Sequence, residues 1–122
     1  MYGAGVGAAG AATPMILPGS PHIAYRGRQL FIEDCALDDP AARFGTPLYV
    51  YSRAAMLDAL AGYQRALEGR DALICYALKA NSTLALVRLL RALGAQADAN
   101  SGGEIEVALR AGFIPDQIVF TG

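Results

Sequence analysis

From residue 47 onward the chain alternates between short apolar runs and stretches of helical period. "PLYVYS", "ALICYALKAN", "AQADANS" and "DQIVFTG" have the length and composition of strands. Between the first two, Met56, Leu60, Tyr63 and Leu67 recur at steps of four and three, which predicts a helix over 53–68 with Ser52 as its cap. Leu86, Leu89, Leu90 and Leu93 mark a second helix over 83–93, stopped by Gly94. "GGEIEVALRAG" makes a third, ended by Gly112. A strand that returns through a helix to another strand builds a parallel sheet with right-handed crossovers, so the fold class is α/β.

The preceding residues follow other rules. "HIAYRGRQLFIED" carries two short runs around Arg26, Gly27 and Arg28, the pattern of a β-hairpin with glycine at its turn. His22, which opens it, is expected at the surface. In "CALDDPAARFGTP", Asp38 and Asp39 ahead of Pro40 suit a helix start and Gly45 with Pro47 its end, so the paired carboxylates are read as caps. Residues 1–21 lack the charged n-region and long apolar core of a signal peptide and are broken by Pro14, Pro18 and Pro21, which predicts a flexible leader. "GVGAAG" at 5–10 fits G-x-G-x-x-G but has neither the feeding strand nor the departing helix that a dinucleotide site needs. The expected organisation is a leader (1–21), a hairpin with its connection (22–47) and βα units (48–122).

Ten Lys and Arg against eleven Asp and Glu leave a net charge of −1 over 122 residues, with no basic face for nucleic acid and no run long enough for a membrane span. Cys35 and Cys75 stand far apart with no metal-ligand spacing, which suits a reducing cytoplasm and no metal.

In α/β folds ligands bind at the carboxyl ends of the strands. Lys79 lies at such an end in "ICYALKANS", and strand alternation puts it on one face with Cys75 and Ala77, opposite Ile74, Tyr76 and Leu78. On the next strand Gln96, Asp98 and Asn100 share a face against Ala95, Ala97 and Ala99. Burying such polar groups unpaired costs roughly 1–3 kcal/mol each, so a polar ligand beside them would account for their presence. "SGGE" reads as a capping box, Ser101 with Glu104, while Gly102 and Gly103 clear space for a ligand at a helix N-terminus.

"YALKANS", "GAQADANSGGEIEVALRAGF" and "IVFTG", preceded by "RFGTPLYVYS", together resemble the N-terminal part of the diaminopimelate decarboxylases, pyridoxal phosphate enzymes of the alanine racemase-like barrel class. The resemblance runs over residues 25–122. It implies the opening part of a (β/α)8 barrel, incomplete in this chain, with the hairpin contributing to a second, C-terminal β-domain. It further implies attachment of pyridoxal 5'-phosphate to Lys79, with Ala77, Asp98, Asn81 and Ser101 around the cofactor, and decarboxylation of meso-2,6-diaminopimelate to L-lysine. Family members commonly pair as homodimers. Asn100 departs from the pattern, which more often has a small or β-branched residue there. The phosphate cradle, the partner of the pyridine nitrogen and the substrate-binding arginines would lie beyond Gly122, so the chain is read as a fragment, inactive by itself and prone to aggregate through its unpaired last strand. Decarboxylation of another basic amino acid, cofactor binding without turnover, and a small α/β binding module remain open alternatives.

Overall fold

The computed structural model describes residues 17–19 and 21–122, and the described residues divide into two compact units between Tyr51 and Ser52. "GVGAAG" and most of the expected leader lie outside the described residues.

In the first unit, β1 (Ile23–Arg26), β2 (Gln29–Ile32) and β3 (Cys35–Ala36) form an antiparallel sheet in that order. The β1–β2 hairpin turns at Gly27, whose φ of +64° is one that glycine adopts without cost. Arg26 secures the next turn by donating to the Glu33 carbonyl at 2.7 Å and to Asp34 Oδ1 at 2.9 Å, with its guanidinium 4.5 Å from the centre of the Phe31 ring. β3 was not expected from its sequence, because two residues carry no periodicity; they become a strand by pairing with Phe31 and Ile32. His22 is half-buried, and its carbonyl accepts from the Glu33 amide at 2.7 Å.

Asp38 and Asp39 lie within the first turn of α1 (Asp38–Phe44), behind an N-cap position held by Leu37. Neither is therefore a side-chain cap. They act on the helix dipole instead, and Asp38 Oδ2 accepts from Gln29 Nε2 at 3.2 Å. "PLYVYS" is no strand: residues 47–52 have no ladder partner among the described residues, and Tyr49 is 86% exposed. Alternating apolar residues supply β-propensity, but a strand exists only through the neighbour that takes its hydrogen bonds.

The second unit is built of βα repeats. Ser52 caps α2 (Arg53–Ala66), its Oγ accepting from the Ala55 amide at 2.9 Å. β4 (Cys75–Ala77), α3 (Leu84–Ala92), β5 (Gln96–Ala99), α4 (Gly102–Ala111) and β6 (Ile118–Phe120) follow, and β4, β5 and β6 lie side by side in a parallel sheet in chain order. Tyr76 is level with Ala97, and Ala97 with Ile118, so these three share one face of the pleat. That face packs on the helices through two clusters. One joins Leu78, Val87, Ala97, Ala108, Ala111 and Phe113; the other joins Leu60, Leu86, Leu90 and Ala95. Ala97 of β5 and Ala108 of α4 are completely buried in the same cluster, where α4 packs on β5. Tyr63, expected in the core stripe of α2, is exposed instead.

Gly112 ends α4 in the left-handed region at φ +99°, and a Cβ there would stand 3.3 Å from Arg91 Cζ. Gly112→Ala is expected to cost about 1–2 kcal/mol, since L-residues pay that in left-handed backbone. A chemical-denaturation midpoint equal to that of the parent would show that this cap does not need glycine.

Candidate active site

The carboxyl ends of β4, β5 and β6 lie along one edge of the parallel sheet, and the residues just beyond them form the site. Cys75 is level with Gln96, Ala77 with Asp98, and Asp98 with Val119. The face opposite the helices therefore carries Cys75 and Ala77, then Gln96, Asp98 and Asn100, then Val119 and Thr121. Ala77 and Asp98, both expected at the site, are brought side by side on neighbouring strands and are half-buried.

Lys79 reaches this edge by a different route from the one strand alternation predicts. β4 stops at Ala77 and the chain enters a 3₁₀ turn, Leu78–Ala80, that lies against β5. Leu78, 1% exposed, packs into the core with residues of α3 and α4, on the side that strand alternation assigns it, and the adjacent Lys79 is exposed. The lysine is thus presented by a turn with a buried anchor, and it is the chain's only lysine.

Asn81 and Ser101 are engaged in local structure. Asn81 Oδ1 accepts from the Thr83 amide at 3.0 Å, an Asx turn leading into α3, and its carbonyl accepts from the Tyr76 hydroxyl at 3.0 Å. Ser101 Oγ accepts from the Glu104 amide at 3.2 Å, half of the expected capping box. The other half is displaced by one residue: Glu104 Oε2 accepts from the Asn100 amide at 2.6 Å rather than from that of Ser101. The carboxylate thereby ties the start of α4 to the end of β5. Gly102 and Gly103 have no left-handed φ, and a Cβ on Gly102 would meet nothing within 4 Å. Contacts within the protein do not require glycine at this helix start.

A polar chain crosses the sheet edge. The Thr121 hydroxyl donates to Asp98 Oδ1 at 2.6 Å, and Asn100 Nδ2 donates to Thr121 Oγ1 at 2.9 Å. Asn100 Oδ1 is buried without a hydrogen-bond partner among the described residues. Thr121 was not singled out from the sequence as a member of this polar edge. Its sequence signal was present, two residues after Val119 on the same alternating face, but its partner on β5 becomes visible only through the strand register. Gly122 completes the approach: a Cβ there would fall 2.5 Å from the Asn100 carbonyl oxygen, so glycine lets the chain run close to β5. Both cysteines are free, and among the described residues no helix is long and apolar enough to cross a membrane.

Known proteins resemble this chain in sequence and in fold. Residues 53–122 match the family of pyridoxal-dependent decarboxylases, pyridoxal binding domain. Diaminopimelate decarboxylase of Aquifex aeolicus is 48% identical over 103 residues, covering 84% of this chain and 24% of the relative. That of Pseudomonas fluorescens is 51% identical over 98 residues, covering 80% and 24%. Among solved structures, diaminopimelate decarboxylase from M. jannaschii in complex with L-lysine superposes with a TM-score of 0.79 at 34% identity, over 85% of this chain and 25% of that one. The chain thus spans about a quarter of the length of these relatives. Its parallel βα units correspond to the N-terminal region of their alanine racemase-like barrel. On the strength of the match over 53–122 and of the strand-edge geometry that goes with it, the chain belongs to the pyridoxal-dependent decarboxylase family.

Proposed function

We propose that this chain supplies the lysine-bearing part of the site of a cytoplasmic, homodimeric diaminopimelate decarboxylase that uses pyridoxal 5'-phosphate to convert meso-2,6-diaminopimelate to L-lysine and carbon dioxide. One observation carries the reading: the chain's only lysine stands exposed at the carboxyl edge of a parallel sheet, next to the strand that holds Asp98, in a chain of this family. The remaining residues fit a flat, polar cofactor. Ala77 presents only a methyl group beside Asp98, the helix start at Gly102 is open, and Asn100 Oδ1 is a buried acceptor in want of a donor.

In this reading Lys79, the one side-chain amine of the chain, would hold the cofactor through its Nζ. When bound, pyridoxal phosphate supplies an electron sink for the pair left behind as the carboxyl group departs. Asp98 accepts hydrogen bonds near the point of attachment, and Ala77 leaves room for the ring. Asn81 and Ser101 set the loops on either side, the first by shaping the entry to α3 and the second by fixing the start of α4. The same Lys79 amine, exposed at the sheet edge, would also be placed to move a proton at the carbon that loses its carboxyl group. The substrate assignment rests on the diaminopimelate decarboxylase relatives, and the L-lysine complex of one of them matches the expected product.

The test uses the single lysine. Addition of pyridoxal phosphate, borohydride reduction and peptide mapping are expected to place the label on the peptide containing Lys79, in excess over the N-terminal amine. In a protein that supplies the rest of the barrel around this chain, carbon dioxide release is expected from meso-diaminopimelate and not from ornithine or arginine. Label confined to the N-terminus would refute the cofactor assignment, and release from ornithine alone would refute the substrate.

A further inference from the structure

We infer that Thr121 is a positioning residue for Asp98, with Asn100 setting the direction of its hydrogen bond; this deepens the reading given above and rests on it. A threonine hydroxyl has one proton. Because Asn100 Nδ2 donates to Thr121 Oγ1 at 2.9 Å, the hydroxyl's accepting side is used and its proton goes to Asp98 Oδ1 at 2.6 Å. The chain Asn100 to Thr121 to Asp98 therefore has one polarity, and it ends on a carboxylate with one oxygen held.

The consequence is geometric. With Oδ1 engaged, rotation of the Asp98 carboxylate is restricted, and Oδ2 is left to accept from the Lys79 amine or from a polar substituent on the cofactor ring. The backbone keeps the donor in place. The Thr121 amide donates to the Ala99 carbonyl at 3.0 Å, Gly122 permits the close run past Asn100, and Glu104 holds the Asn100 amide at 2.6 Å. Three segments, the ends of β5 and β6 and the start of α4, thus converge on the orientation of one carboxylate. The Asn100 side-chain amide is used in this chain as the donor to Thr121.

The experiment measures the rate at which pyridoxal phosphate is captured at Lys79, from the visible absorbance change and from borohydride labelling of the Lys79 peptide. It compares the intact protein with Thr121→Val, Thr121→Ser, Asp98→Asn and the Thr121→Val/Asp98→Asn double variant. Valine keeps the shape and removes the proton, while serine restores it. Thr121→Val is expected to slow capture roughly tenfold, with Thr121→Ser recovering most of the loss. Adding Thr121→Val to Asp98→Asn is expected to change nothing further, because the group it acts through is already altered. Parent-like capture by Thr121→Val, failure of serine to rescue, or losses that multiply in the double variant would each overturn the proposal while leaving Lys79 as the attachment point. Absence of capture at Lys79 in the parent would remove the cofactor reading and the proposal together. If Thr121→Val lacks the parent's circular dichroism, Asn100→Asp decides: it offers Thr121 a competing acceptor, and slowed capture supports the proposal where an unchanged rate refutes it.

Discussion

Lys79→Ala is expected to abolish covalent capture of pyridoxal phosphate at a side chain, because the 122 residues contain no second lysine to take over. Lys79→Arg is expected to fail equally. A guanidinium stays protonated and has no free pair for the aldehyde, even though it keeps the charge. The contrast separates nucleophile from cation: a site that merely attracts the phosphate electrostatically would retain reversible binding and partial absorbance change in the arginine variant. Borohydride labelling followed by peptide mapping checks the first expectation. A label persisting at residues 78–80 without the lysine would refute it.

Leu78→Ala is expected to have the second large effect, on stability and on the site together. Leu78 is 1% exposed and packs with Val87, Ala97, Ala108, Ala111 and Phe113, so truncation leaves a cavity costing about 2–5 kcal/mol. Against the 5–15 kcal/mol typical of a folded domain this is a large share, and it should appear as a lowered denaturation midpoint. The same side chain anchors the 3₁₀ turn that presents Lys79, so capture at Lys79 should slow even under conditions where the variant stays folded. A loss below about 1 kcal/mol would mean that the surrounding helices close over the site, and that the turn does not depend on this anchor.

Much of the arrangement is written in local pattern. Alternation of small apolar with polar residues in 95–100 predicts buried Ala95, Ala97 and Ala99 against Gln96, Asp98 and Asn100, and the sheet carries them so. Ser52 and Ser101 cap the helices they precede, and Gly112 ends the helix it follows, because caps and left-handed turns depend on a few adjacent residues. The order of βα units follows from the same periodicities, and parallel pairing follows from the crossovers between them.

Other features depend on partners remote in the chain. "PLYVYS" has the composition of a strand but no ladder among the described residues, whereas Cys35–Ala36 has almost no pattern and is a strand because β2 lies beside it. Lys79 was expected on the face of a strand, but the chain leaves the strand after Ala77 and carries it in a 3₁₀ turn, Leu78–Ala80. Glu104 stands in the spacing of a capping box, yet its carboxylate reaches the Asn100 amide because the end of β5 lies within range. Thr121 finds Asp98 across 23 residues of sequence through the register of β5 and β6. The sequence by itself determined the α/β class, the helix limits set by caps, the lysine and the polar face of β5, all of which rest on periods and contacts of a few residues. Only the tertiary structure decided the turn that carries Lys79 and the Asn100, Thr121 and Asp98 chain, because core burial and strand register are set by groups that sequence spacing keeps apart.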